Sequence, residues 1–391
     1  MSEHIEKSFN NSISWILNSG IQSEDGGFNS WYDHAKGSYE YKYSEITGYG
    51  ISTLVFLNRI GKSDLSLGKA TIAANWLINN ALHHCNGFKT RSYYSRNDQI
   101  DRYSFDTGKI YSFDTGIVIK GLIDLYKVNK DQRLLDVAKN SAIFLINKMQ
   151  KPNGLFHAIY DPLLNENVDT NEKWSSQSGS YHAKIAIPLF DLYDITKNKS
   201  FLDSALSLCD GALKLQKSDG RFISFSITED THLHPHIYTT EGLVYLALKT
   251  DDEKRRSLYM DSTRKAVQWV LDNQKPNGGL PQAFYNELNR FNMHERVDVT
   301  AQALRISSLL YSLGMLDNRY YEKIGRIFER LKEFQRDIKD KDYGGFNFGY
   351  DHDGFPLSNH INSWCTMFSI QALEYYGQLI SGKKIDLDII I

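Results

Sequence analysis

Apolar residues recur at helical spacing along most of this 391-residue chain, in two alternating kinds of segment. One kind is apolar on a single side, as in residues 131–150, with comparable stretches at 8–18, 67–83, 200–216, 254–274 and 319–335. The other kind is apolar nearly all round and rich in small residues, at 45–59, 112–127, 178–194, 238–248, 297–313 and 360–376. A one-sided helix belongs at a surface and an all-round apolar helix belongs inside. The pattern therefore predicts six outer and six inner helices in strict alternation.

A short motif punctuates each pair. One or two Gly precede an apolar or aromatic residue at Gly26-Gly27-Phe28, Gly87-Phe88, Gly154-Leu155-Phe156, Gly220-Arg221-Phe222, Gly278-Gly279-Leu280 and Gly344-Gly345-Phe346. The last residues of these motifs are 60, 68, 66, 58 and 66 positions apart. Six copies of one unit predict an all-α chain of six helical hairpins, an (α/α)6 toroid formed as a single domain over residues 1–391. Inner-to-outer links are short (60–66, 128–130, 195–199, 249–253, 314–318), whereas outer-to-inner links such as 19–44, 84–111 and 151–177 are long. Long loops carry function more often than short ones, so a cleft is expected where the inner helices begin. Helix dipoles favour anionic groups at that end.

The starts of the inner helices are polar. They read Tyr43-Ser44-Glu45-Ile46-Thr47-Gly48-Tyr49, Tyr111-Ser112-Phe113-Asp114-Thr115-Gly116 and Ser178-Gly179-Ser180-Tyr181-His182. The other three read His236-Ile237-Tyr238-Thr239-Thr240-Glu241, Glu295-Arg296-Val297-Asp298-Val299-Thr300-Ala301-Gln302 and His360-Ile361-Asn362-Ser363-Trp364. A near-duplicate of the second precedes it at Tyr103-Ser104-Phe105-Asp106-Thr107-Gly108. Ser, Thr and Asp here suit helix capping. Capping does not account for Glu45, Glu241 or Asp298, each placed by this pattern a turn or less inside a buried helix, where carboxylates need partners. Glu45, Asp114, Tyr181, His182, Glu241 and Asp298 are accordingly the candidate catalytic groups, a composition suited to general acid/base chemistry. Tyr49, Tyr111, Trp174, His234, His236, Tyr238, Arg296, His360 and Trp364 are the candidate substrate-binding groups, with Arg296 or His236 suited to a carboxylate.

Composition narrows the partner. The net charge of -2 gives no electrostatic reason to expect nucleic acid. Three scattered cysteines, Cys85, Cys209 and Cys365, make neither a disulfide framework nor a paired metal site. The first twenty residues lack a basic segment followed by an apolar one, and no apolar run approaches a membrane span, so a cytoplasmic setting is expected. Aromatics reach 13%, and Tyr32, Tyr93, Tyr94, Tyr160, Trp174, Tyr285, Phe348 and Tyr350 fall in loops. There they could stack on sugar rings or simply cement the loops. His232, His234 and His236 alternate and would share one face of a strand, but Pro235 argues for an irregular loop. No metal and no cofactor is expected.

The strings YSEITGYG, SFDTGIVIKGLIDLY, GSYHAKIAIPLFDLY and HPHIYTTEGLVYLAL resemble the six-hairpin glycosidase-like superfamily. Within it they look like surface-polysaccharide proteins related to the C-terminal domain of glucuronyl C5-epimerases. That resemblance implies catalytic groups at the inner-helix N-terminal face. Asp114 in FDTG is similar in placement to the first catalytic Asp of unsaturated glucuronyl hydrolases, whose second Asp has no counterpart beside Tyr181-His182. NKMQKPNGLF and RKAVQWVLDNQKPNGGL also look like the repeats of triterpene cyclases, and DVTAQAL like part of their protonating motif, with Asp298 as its central acid.

Three functions follow as expectations. The first is a carbohydrate-active enzyme, epimerase-like or hydrolase-like, acting by general acid/base chemistry in the central cleft on an oligo- or polysaccharide, a uronate-containing or related surface glycan. The second is a non-catalytic glycan-binding protein, and the third a terpenoid-cyclase-like toroid. The oligomeric state is left open.

Overall fold

A computed structural model describes residues 3–94, 108–337, 342–385, 387 and 389–391. The duplicate run at 103–107 lies outside the described residues. The described helices are α1 (Glu3–Asn18), α2 (Ser44–Arg59), α3 (Ser66–Trp76), α4 (Ser112–Asn129), α5 (Gln132–Phe144), α6 (Ala186–Thr196), α7 (Lys199–Leu213), α8 (Leu233–Lys249), α9 (Glu253–Asp272), α10 (Val297–Ser312), α11 (Arg319–Glu333) and α12 (Ser363–Ile380). No described helix is long and apolar enough to cross a membrane.

The alternation read from the sequence reappears as alternating burial. In α11 the buried residues Tyr320, Ile324, Ile327, Phe328 and Leu331 form one stripe, whereas in α10 every residue from Val297 to Leu310 is buried. The chain divides into two compact units. One holds Met1–Ser19, Trp31–Ser38 and Leu213–Asp388; the other holds Gly20–Ser30, Tyr39–Ala212 and Ile389–Ile391. In the first, buried α10 packs between buried α8 and α12, with α9, α11 and α1 as their one-sided partners. In the second, buried α4 packs between α2 and α6, with α3 and α5 outside them.

The Gly motifs lock successive hairpins together. Gln150 Nε2 donates to Gly154 O (3.0 Å) within its own turn and to Ser204 O (3.2 Å) on α7. Gln335 does the same to Gly344 O and, on α1, to Ser8 O. Gln22, Gln216 and Gln274 repeat the pattern. Gly154 itself is obligatory: its φ is 92°, and a Cβ there would lie 2.0 Å from Ser207 O.

Three local expectations change. Pro235 does not break the chain into an irregular loop; it is the third residue of α8, where no helical partner for an N–H is needed. The third inner segment opens as a 3-10 turn, Ser180–Ile185, before α6. His360 lies in a short strand, His360–Asn362, and α12 starts after it. Short strand pairs of this kind also occupy the other long links, as between Trp31–Asp33 and His360–Asn362.

Candidate functional site

Aligning the buried helices on their first turns gives a common register. The third residue after each start is Thr47, Thr115, His236 or Thr366 in α2, α4, α8 and α12. Each takes the backbone N–H of a repeat aromatic: Phe28 to Thr47 Oγ1 (3.0 Å), Phe88 to Thr115 Oγ1 (3.2 Å), Phe346 to Thr366 Oγ1 (3.0 Å) and Phe222 to His236 Nδ1 (3.0 Å). This position pins the motif to the inner helix. His236 Nε2 then donates to Ala266 O (3.2 Å), so both its nitrogens are committed to backbone, and it is not available to hold a substrate carboxylate. His182 comes one residue earlier in the 3-10 turn, edge-on to Phe156, with Nε2 3.0 Å from Ser112 Oγ and Nδ1 3.2 Å from Gly179 O. Burial pushes His182 down to about 3 and His236 to about 4, so both are neutral.

The second residue of each helix faces elsewhere. In the first unit these are His234 (α8), Asp298 (α10) and Trp364 (α12), and they meet. Trp364 Nε1 donates to Asp298 Oδ2 at 3.0 Å, and His234 Nδ1 lies 3.5 Å from the same oxygen. Arg296 grips Asp298 bidentately, through Nε to Oδ1 (3.1 Å) and Nη2 to Oδ2. Burial alone would raise the Asp298 carboxyl, but Arg296, His234 and the Trp364 indole together hold it below the ordinary range. Burial lowers His234 to about 4 despite Asp298 beside it, so its imidazole is neutral. Above this pair stands a half-exposed aromatic wall. Trp31 stacks on His360 (4.2 Å between centroids) and meets Trp364 edge-on, and Phe348 lies under the Arg296 guanidinium.

One turn down that face sit Tyr238, Gln302 and Phe368; two turns down sit Glu241, Arg305 and Gln371. Tyr238 packs on His234 and Phe368. Glu241 pairs with Arg305, which also donates to Gln371 (2.8 Å), all of them buried. The hydrophobic pattern starts this helix at Tyr238 and so places Glu241 near its start; Glu241 is instead the ninth residue of α8, deep in the core.

In the second unit the corresponding second residue of α2 is Glu45. It shares hydrogen bonds with Tyr43 and Asp114, and burial pushes its carboxyl up to about 7 against the pull of Tyr43, Arg91, Lys184 and Asp114. Tyr43 Oη lies 3.4 Å from Asp114 Oδ1, and the Arg91 guanidinium lies against the rings of Tyr41 and Tyr43. Asp114 is thus brought to Glu45. Tyr181 is buried, its hydroxyl donating to Gln177 O (3.1 Å), with Trp174 edge-on at 5.1 Å. Tyr49 lies beneath the Lys184 ammonium (5.1 Å), and half-buried Tyr111 sits in the strand Ile110–Tyr111.

Arg91, Tyr41 and Trp31 were missed by sequence reasoning. Arg91 and Trp31 reach their clusters through loop strands, Arg91 opposite Tyr43 and Trp31 opposite Asn362, and Tyr41 lies just before the strand Lys42–Tyr43. The one available signal is that Trp31 and Arg91 both lie three residues past a repeat Phe. The three alternating His do not share a face. His232 packs on Phe225, His234 joins Asp298 and His236 caps the repeat. Among the described residues no group of three or more His, Cys, Asp or Glu is arranged to hold a metal. An alkene-protonating acid must carry its proton, and the pairing of Asp298 with Arg296 argues against that role.

No family model and no curated protein sequence matches the chain. Solved structures do. Cellobiose 2-epimerase from Bacillus thermoamylovorans superposes with a TM-score of 0.77 at 15% identity, over 96% of this chain and 100% of that one. A D-mannose isomerase gives 0.77 at 12% identity over 97% and 98%, and an unsaturated glucuronyl hydrolase specific for heparin 0.68 at 13% over 99% and 100%. Identities this low speak to fold, and the chain shares the (α/α)6 toroid fold of these six-hairpin glycosidase-like proteins.

Proposed function

We propose that this chain is a carbohydrate-active enzyme that moves protons on a uronate-containing or related glycan, in the manner of a sugar epimerase. The observation that carries this reading is the meeting of His234, Arg296, Asp298 and Trp364 at the starts of three buried helices. A neutral imidazole has a lone pair to accept a proton, and the ionised carboxylate beside it stabilises the imidazolium that forms. Arg296 spends Nε and Nη2 on Asp298, and no acceptor among the described residues meets its Nη1, which suits it to a uronate carboxylate. The wall of Trp31, His360 and Trp364 suits the apolar face of a sugar ring.

In this reading His234 takes the proton alpha to the carboxyl, and the negative charge that develops is met by Arg296. Return of a proton to the opposite face of that carbon completes the epimerisation. Neighbours of the same fold that are sugar epimerases, an isomerase and an unsaturated glucuronyl hydrolase support sugar as the substrate class. A second reading, glycoside hydrolysis, rests on the Glu45–Asp114 pair, where a raised carboxyl would serve as general acid. Surface-polysaccharide synthesis is the setting the sequence resemblance favours.

Glu45→Gln and Asp298→Asn test the enzyme reading against a glycan-binding one. Glycan binding kept with turnover lost supports an enzyme. Purified wild type that binds a uronate-bearing glycan but neither exchanges its protons nor releases sugar would leave only the binding role.

A further inference from the structure

His234 does not stand on Asp298 alone. Its Nδ1 lies 2.7 Å from Oε1 of Gln302, which is fully buried one turn below Asp298 on the same face of α10. We propose that Gln302 is a positioning residue that holds His234 in the Nδ1–H tautomer, so that Nε2 carries the lone pair that accepts the substrate proton. The proposal rests on the proton-transfer reading above.

Two acceptors converge on Nδ1, the Gln302 carbonyl oxygen and Asp298 Oδ2. A lone pair at Nδ1 would face the Asp298 carboxylate and be repelled, so that nitrogen carries the proton. The same requirement fixes the Gln302 amide, because turning it over would set an N–H against an N–H. The consequence is visible at the other end of the side chain. Gln302 Nε2 is buried and meets no acceptor among the described residues. Leaving a buried donor without an acceptor costs stability, so something must fix the amide this way round. Holding Oε1 on His234 accounts for it. Tyr238 and Phe368 pack around the pair at the same level, limiting other orientations of the ring. The charged groups that act on His234 are Asp298, Arg296 and, deeper, Glu241.

The test is long-range 1H–15N correlation on protein labelled with 15N-histidine, with the His234 signals identified by their absence in His234→Gln. The wild type is expected to show a neutral ring protonated at Nδ1. Gln302→Met, which keeps the volume and removes the acceptor, should mix in the Nε2–H form and lower kcat by on the order of 10²-fold with little change in KM. Gln302→Glu should restore Nδ1–H and move the His234 titration upward. A wild-type ring protonated at Nε2, or Gln302→Met with unchanged tautomer and kcat, overturns the proposal. If the tautomer is as stated but His234→Gln turns over normally, the proton-transfer reading of His234 fails and the positioning role falls with it.

Discussion

Arg305 and Glu241 form an ion pair in which both side chains are wholly buried, two turns below the residues that meet Asp298. Such a pair stabilises only while both partners are present. We expect Glu241→Gln and Arg305→Leu each to lower unfolding free energy by about 3–5 kcal/mol. Chemical denaturation measures this, and a selective loss of turnover at unchanged stability would return Glu241 to the active groups.

His236 stands where four other buried helices carry Thr (Thr47, Thr115, Thr300 and Thr366), and it does the same work for Phe222 that Thr47 does for Phe28. His236→Thr should therefore fold and keep activity, whereas His236→Leu, which orphans the Phe222 N–H, should cost about 1–3 kcal/mol. The pH dependence has a definite sign. His236 falls from 6.5 to about 4 on folding, so the unfolded chain binds more protons, and stability drops as pH falls from about 6.5 to about 4. Replacement by Thr should remove that part of the acid lability, read as a flatter pH profile of the denaturation midpoint.

Gly154→Ala forces a Cβ against Ser207 O and a strained φ, while Gln150→Leu removes the bond to α7. Both are expected to destabilise by about 1–3 kcal/mol or more, with Gly154→Ala the worse. Equal thermal midpoints for wild type and Gly154→Ala would contradict the locking role of the motif.

Glu45 behaves oppositely to an ordinary carboxylate. Its value rises from 4.5 to about 7 on folding, so it is no burden below about 4.5 and progressively opposes folding as pH rises to about 7. Relative to wild type, Glu45→Gln should gain stability across that window and above it. A stability difference independent of pH would mean the Glu45 carboxyl is not raised.

The repeat and the two kinds of helix were legible because burial writes itself into hydrophobic spacing. The roles of polar residues at the helix starts were not, because one turn of helix presents Asp298 to the cluster and Thr300, two residues on, to the Arg296 carbonyl. Pro235 caused the largest shift. Taken as a break, it moved the start of α8 to Tyr238 and brought Glu241 a full turn too close to the site. Arg91 and Trp31 depend on strand register in the loops, which a two- or three-residue strand does not announce.

Solvent-deuterium incorporation into a uronate-bearing oligosaccharide tests the central claim most directly. Wild-type protein in D2O should place deuterium at the carbon alpha to the carboxyl, and Asp298→Asn and His234→Gln should lose most of that exchange while keeping the wild-type fold. Exchange no faster than in buffer for any uronate-bearing glycan, or exchange undiminished in both variants, would contradict it.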